Sequence, residues 1–222
     1  MASKQALIIG LGQFGMALAR TLSDRGVEVL AVDRSRARVQ NAAAFCTEAA
    51  CFDAADEESL LRTAPDRRDL CVCAIGNEAR ESAILVTALL RQMGARRVVA
   101  RATDDLTERI LSMVGAHHIV NPERAFGERL ASRLLYDEIL EELPLGPDLM
   151  LTEIRPPETL VGRTLAELRL QERFGVNVIA IRRGGRGVGD ALAPSPERPL
   201  AGDDLLLVAS SPDAIRNLLE RT

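Results

Sequence analysis

Over the first 136 positions, short apolar runs alternate with longer stretches that carry apolar residues at helical spacing. The runs 6–9, 27–32, 48–52, 70–75, 97–101 and 118–120 predict strands. Leu70-Cys71-Val72-Cys73-Ala74-Ile75 is continuously apolar, which marks a strand buried on both faces. Between the strands, helices are predicted over 13–25, 35–44, 56–63, 78–93, 103–114 and 123–136. Gly26 and Gly94 follow helix ends, while Ser35 and Thr103 or Asp104 stand at helix starts. Six strand–helix repeats in a row predict an α/β fold with a doubly wound parallel sheet.

The pattern then changes. Prolines and a glycine in Glu141-Glu142-Leu143-Pro144-Leu145-Gly146-Pro147 read as a linker. Beyond it the periods are shorter: strands over 149–155, 176–181 and 205–209, helices over 164–170 and 213–220, and a glycine-rich turn over 184–189. The expected organisation is a domain over 1–137, a linker over 138–147 and a small α+β domain over 148–222.

Composition narrows the chemistry. Hydrophobic residues make up 47% of the 222 positions but aromatics only 3%, so the core must be aliphatic and rich in alanine. The net charge of −4 gives no electrostatic reason to expect nucleic acid. Lys4 is the only lysine, which excludes Schiff-base and P-loop chemistry from the interior. Cys46, Cys51, Cys71 and Cys73 read as buried free thiols, with Cys71 and Cys73 on one face of a strand. His117 and His118 read as structural. No apolar run approaches the roughly 18 residues of a membrane span, so a soluble cytosolic protein is expected.

The first strand ends in Gly10-Leu11-Gly12-Gln13-Phe14-Gly15, a G-x-G-x-x-G loop that opens a helix, and the second ends at Asp33. This is the Rossmann dinucleotide fingerprint. Gly10 permits the tight turn, Gly12 lets backbone approach a pyrophosphate, and Gly15 lets the helix pack closely. The helix N-terminus offers N–H groups to phosphate, and Asp33 is placed for ribose hydroxyls. Ligands in such sheets bind at the carboxyl ends of the strands. Those ends carry, besides the loop and Asp33, the residues Asp53-Ala54, Ile75-Gly76-Asn77, Arg101 and Asn121-Pro122-Glu123. Arg34 reads equally as an adenine-stacking group or a surface arginine, and Asn77 as a helix cap or a site residue.

Several motifs occur together and in order: Ile9-Gly10-Leu11-Gly12-x-Phe14-Gly15, Val29-Leu30-Ala31-Val32-Asp33, Asp53-Ala54, Ala74-Ile75-Gly76, Gly115-Ala116-His117 and Asn121-Pro122-Glu123. Leu165, Phe174-Gly175-Val176-Asn177-Val178-Ile179-Ala180-Ile181 and Gly202-Asp203-Asp204-Leu205-Leu206-Leu207-Val208 follow in the second module. On these motifs the chain, over 4–220, resembles the regulatory subunits of Trk/Ktr-type potassium uptake systems, which carry RCK domains. The resemblance implies a non-catalytic sensor of ATP, ADP or NAD(H), built as homodimers in an octameric ring. It also implies a membrane potassium-translocating partner, and so a place on the inner face of the cell membrane.

Carried over by position, Gly10, Gly12 and Gly15 cradle phosphates in the loop that also holds Gln13 and Phe14, Asp33 takes the ribose, and Asp53-Ala54 borders adenine. Arg101 reaches phosphate. Glu123 stands beside a terminal phosphate or an accompanying Mg²⁺, Na⁺ or K⁺. Members that discriminate ATP often carry arginine where this chain has Gln13. A neutral amide cannot make that charge-assisted contact, so strong ATP-over-ADP selectivity is not expected. Some relatives bind cyclic di-AMP in the second lobe, where Arg169, Val176, Asn177 and Val178 are the candidates here. The competing function is an NAD-dependent oxidoreductase. Against it, Tyr136 has no Tyr-x-x-x-Lys partner, both histidines fall in the first module, and the second is too small for a catalytic cleft.

Overall fold

The computed structural model describes residues 3–183 and 191–221, so the expected turn over 184–189 lies outside the described residues. The chain divides into two compact units, Met1–Arg124 and Ala125–Thr222.

The first unit alternates strand and helix: β1 (Gln5–Ile9), α1 (Gln13–Asp24), β2 (Glu28–Asp33), α2 (Arg36–Ala43), β3 (Glu48–Cys51) and α3 (Glu57–Leu61). It continues with β4 (Leu70–Cys73), α4 (Arg80–Gln92), β5 (Val98–Arg101), α5 (Asp105–Met113) and β6 (His118–Val120). All pairings in this sheet are parallel and the strand order is β3-β2-β1-β4-β5-β6. This is the doubly wound arrangement, in which the strand order reverses between β1 and β4 and opens a crevice there.

The two-residue period of each strand feeds two cores. Leu7, Ile9, Leu30, Val32, Cys71 and Cys73 face Leu60, Val86, Leu90 and Leu111. Ala6, Ile8, Val29, Ala31 and Val72 face Ala19, Val39 and Ala42 on the other side. Strands buried on both faces explain why the sequence showed runs rather than alternation.

Helix α6 (Pro122–Leu135) crosses the division between the units and buries none of its residues. In the second unit follow β7 (Ile139–Gly146), β8 (Leu149–Ile154), α7 (Leu165–Leu168), α8 (Leu170–Phe174), β9 (Asn177–Arg182), β10 (Ala191–Leu192), β11 (Leu205–Ser210) and α9 (Pro212–Arg221). The strands form an antiparallel sheet in the order β10-β9-β11-β8-β7. Ile139, Ile154, Leu168, Val176, Leu206 and Leu218 build its core.

The segment expected to be a linker, 138–147, is therefore mostly a strand. Pro144 misleads because β7 is an edge strand, where a missing N–H costs nothing if it faces away from the sheet. The strand is also bulged at Ile139/Glu141 and Pro144/Gly146, which breaks the alternation a sequence pattern would show. The helix expected over 164–170 splits in two at Arg169, whose φ of 46° is left-handed.

The cysteines divide. Cys71 and Cys73 are buried in the same core, as their spacing predicts, but Cys46 is half-buried and Cys51 exposed at the end of edge strand β3. Burial pushes the Cys71 thiol up to about 12 and the Cys73 thiol up to about 11. Only thiolates react, so a neutral-pH disulfide reagent should label Cys51 first and Cys46 more slowly. Cys71 and Cys73 should react only on unfolding. Because the folded chain keeps protons that the unfolded chain releases above about pH 8.5, stability should fall as pH rises from there towards 12. Thiol counting with and without denaturant, and denaturant midpoints against pH, check both outcomes.

Candidate functional site

The carboxyl edge of the parallel sheet is held together by backbone. Gly10 N–H donates to Val32 O at 2.8 Å and Ala74 N–H donates to Ile9 O at 2.7 Å, so the ends of β2, β1 and β4 are tied in one plane. Leu11 N–H, inside the glycine loop, donates to Asp33 Oδ2 at 2.6 Å, and Ser35 N–H donates to Asp33 Oδ1 at 2.8 Å. Arg38 Nη1 lies 3.5 Å from the same carboxylate. Asp33 is only 6% exposed, so it acts as a tie between the loop and β2 as well as a group at the cavity wall.

The three glycines are required for different reasons. Gly10 has a φ of 93°, and a Cβ there would stand 2.9 Å from Ile75 N. A Cβ on Gly15 would run into Gly10 O and stand 3.1 Å from Ala74 Cβ. A Cβ on Gly12 would meet nothing within 4 Å. Gly12 caps α1 without a side-chain bond, and the first turn of α1 carries no acid. The space above Gly12 is thus open and faces N–H groups that have no side-chain acceptor, the local chemistry of an anion cradle.

A cavity of about 370 Å³ opens on this edge. From the expected set, Gly10, Gly12, Asp33 and Arg34 line it from β1 and β2, and Asp53, Ala54, Ile75, Gly76 and Arg101 from β3, β4 and β5. Asp53 is exposed and folds back to accept Ala55 N–H at 3.0 Å. Gln13, Phe14, Gly15 and Glu123 do not line it. Gln13 starts α1 pointing to solvent, and Gly15 lies beneath the loop as a packing residue. Asn77 opens a short 3-10 turn, and its side chain lies outside what the structure describes.

Arg101 is the site's most unusual group. Its guanidinium lies 5.9 Å from the Phe14 ring, and Nη1 would be 3.3 Å from a Cβ on Gly76. Nη2 donates to Glu123 Oε1, while Nε is buried with no partner. Phe14 therefore supports Arg101 instead of touching the cavity.

Arg38, Phe52, Glu78, Ala79 and Ser82 also line the cavity and were not expected. A signal existed for most of them. The turn after each strand end continues along the same edge, so the first turns of α2 and α4 belong to the crevice as much as the strand ends do. Among the described residues, no group of three His, Cys, Asp or Glu side chains is placed to hold a metal ion. His117 accepts Val98 N–H at Nδ1 (2.9 Å), the structural role expected of it; burial, then Arg91, lowers its pKa. In the second unit, Val176 is core, whereas Asn177 and Arg169 are exposed and Arg169 pairs with Glu172.

Residues 6–122 match the TrkA-N domain and residues 149–222 the TrkA-C domain. The Ktr system potassium uptake protein A of Vibrio alginolyticus is 36% identical over 98% of this chain and 97% of its own. The Ktr system potassium uptake protein C of Bacillus subtilis is 33% identical over 94% and 92%. Among solved structures, the GsuK channel superposes with a TM-score of 0.67 at 18% identity; it covers 98% of this chain, which spans only 39% of the channel chain. No helix among the described residues is long and apolar enough to cross a membrane.

The glycine geometry separates binding from folding. Gly12→Ala should leave the denaturation midpoint within about 0.5 kcal/mol of wild type, since its methyl enters open space. Gly15→Ala should cost roughly 1–3 kcal/mol or more, because the methyl is forced against backbone. Urea unfolding of the two variants, followed by circular dichroism, checks the contrast.

Proposed function

Because this chain belongs to the family of Ktr- and Trk-type potassium uptake proteins, with a TrkA-N and a TrkA-C domain, we propose that it senses an adenine nucleotide in the cavity at the edge of its parallel sheet. The two relatives described above are named as potassium uptake proteins, which favours a component of potassium uptake over an oxidoreductase. The observation that carries the nucleotide reading is the open space over Gly12, flanked by Asp33 on one side and Arg101 on the other. A pyrophosphate fits the unbonded N–H groups there, a ribose the Asp33 side, and an adenine the wall made by Phe52, Asp53, Ala54 and Ile75. ATP, ADP and NAD(H) share these parts. Mg²⁺, Na⁺ or K⁺ would travel with the phosphates, whose charge is not matched by Gln13.

The proposed assembly is a homodimer that builds an octameric ring beneath a membrane potassium-translocating subunit, at the inner face of the cell membrane. Support for self-association comes from α6. Phe126, Leu130 and Leu134 recur every fourth residue, so they share one face of the helix, and all three are exposed. A nucleotide gates such a ring only through different affinities for its two shapes.

A thermal-shift panel with ATP, ADP, NAD, NADH and cyclic di-AMP tests the reading on the whole chain. A cognate ligand at about 100 times its Kd adds about 2.7 kcal/mol, which raises Tm by roughly 5–10 °C in a chain of this size. Gly12→Ala should abolish that shift for the phosphate-loop ligands while folding normally. No shift with any of the five would refute a nucleotide sensor. In light scattering, Leu130→Asp should reduce the assembly to smaller species, and an unchanged mass would remove α6 from the interface.

A further inference from the structure

Among the described residues of the second unit, the buried polar side chains are Glu142, Thr152, Asp204 and Ser210. Asp204 is accounted for, since its Oδ2 accepts Ala201 N–H at 2.9 Å. The other three are not. Thr152 Oγ1 and Ser210 Oγ are buried without a hydrogen-bond partner, and the Glu142 carboxylate has no hydrogen bond or ion pair among the described residues.

Strand register puts the three on one patch. Glu142 of β7 stands opposite Thr152 of β8. Ser210 of β11 stands opposite Met150, two residues from Thr152, so it shares the face of Thr152 as its diagonal neighbour. Such positions hold their Cβ atoms about 4.5–8 Å apart. The face is the covered one, because Ile154, Leu206 and Val208 on it belong to the core. A bulge is what turns Glu142 towards it. Ile139 faces this core opposite Ile154, and on an unbroken strand Glu141 would follow it inward. The register shift between Ile139 and Glu141 reverses the two acids: Glu141 is exposed and lies 3.8 Å from Arg133 Nη1, while Glu142 is 8% exposed. A second shift between Pro144 and Gly146 leaves Glu142 held between two bulges.

Removing a carboxylate and two hydroxyls from water with no partner is costly, and folded chains normally supply one. We propose that Glu142, Thr152 and Ser210 are ligands of an alkali cation, Na⁺ or K⁺, bound between β7, β8 and β11. The donor set decides the class. All three side chains offer oxygen and none offers sulfur or nitrogen, which disfavours zinc and copper. One carboxylate matches one positive charge. A Ca²⁺ site takes six to eight oxygens, commonly from several carboxylates, and no group of three His, Cys, Asp or Glu side chains is placed for an ion among the described residues. The ion fastens edge strand β7 through side chains where bulges interrupt its backbone ladder. It belongs to the second unit and needs no nucleotide.

Thermal unfolding of the full chain without nucleotide tests this, followed by circular dichroism in choline chloride with NaCl or KCl substituted at constant ionic strength. One or both alkali ions should raise Tm, by roughly 3–6 °C at ten times the Kd. Glu142→Gln keeps the shape and removes the charge, so it should unfold at or above the wild-type Tm in choline and lose the alkali response. Thr152→Val, also isosteric, should fold normally and need about tenfold more salt for the same shift. An alkali response that survives in Glu142→Gln would place the ion elsewhere and overturn the proposal. So would a wild type indifferent to both ions, with a protonated Glu142 carboxyl as the explanation if Glu142→Gln then removes a pH dependence of Tm. A response to Ca²⁺ or Mg²⁺ alone would overturn the monovalent assignment. None of these outcomes depends on the nucleotide panel.

Discussion

The candidate site depends on one close backbone approach, that of Gly15 to Gly10. Helix α1 can begin directly above the end of β1 only because nothing but hydrogen separates the two glycines, and Ala74 on β4 closes the same contact from the side. That approach sets where the first N–H groups of α1 point. It also sets how far the loop stands from β4, and hence the width of the crevice at the reversal of strand order. The bonds from Gly10 to Val32, from Ala74 to Ile9 and from Leu11 to Asp33 then fix the loop against three neighbouring strand ends. A cradle held this way loses little conformational freedom when it binds, which is the advantage of preorganisation.

Asp33 shows how the same residue serves fold and site. Its carboxylate accepts two backbone N–H groups, both close to the cavity, and is faced by Arg38. Removing it would leave Leu11 N–H without its acceptor, so weakened binding in such a variant would report the loop as much as the ribose contact. Gly12 is the cleaner probe, because it contributes only space. The charged groups around the cavity are balanced: Asp33, Asp53 and Glu78 against Arg34, Arg38 and Arg101. An anion is therefore not drawn in by a strong general field. Recognition falls to local donors, the N–H groups of α1 and the fork of Arg101.

The parallel sheet was legible because its strands are buried on both faces and its breaks are glycines and caps, all of which are local signals. The second sheet was only partly legible. Edge strand β7 carries two bulges and a proline, and these erase the alternation that would have marked it. At the site, sequence position brought Gly10, Gly12, Asp33, Asp53, Gly76 and Arg101 to one edge, where the structure finds them around a cavity. It missed Arg38, Glu78 and Ser82 because they sit beyond the strand ends, in the turn and helix starts that continue along the same edge. Spacing also does not reveal that Glu123 pairs with Arg101. The bond to Arg101 joins residues 22 positions apart and exists only once β5 and α6 are adjacent.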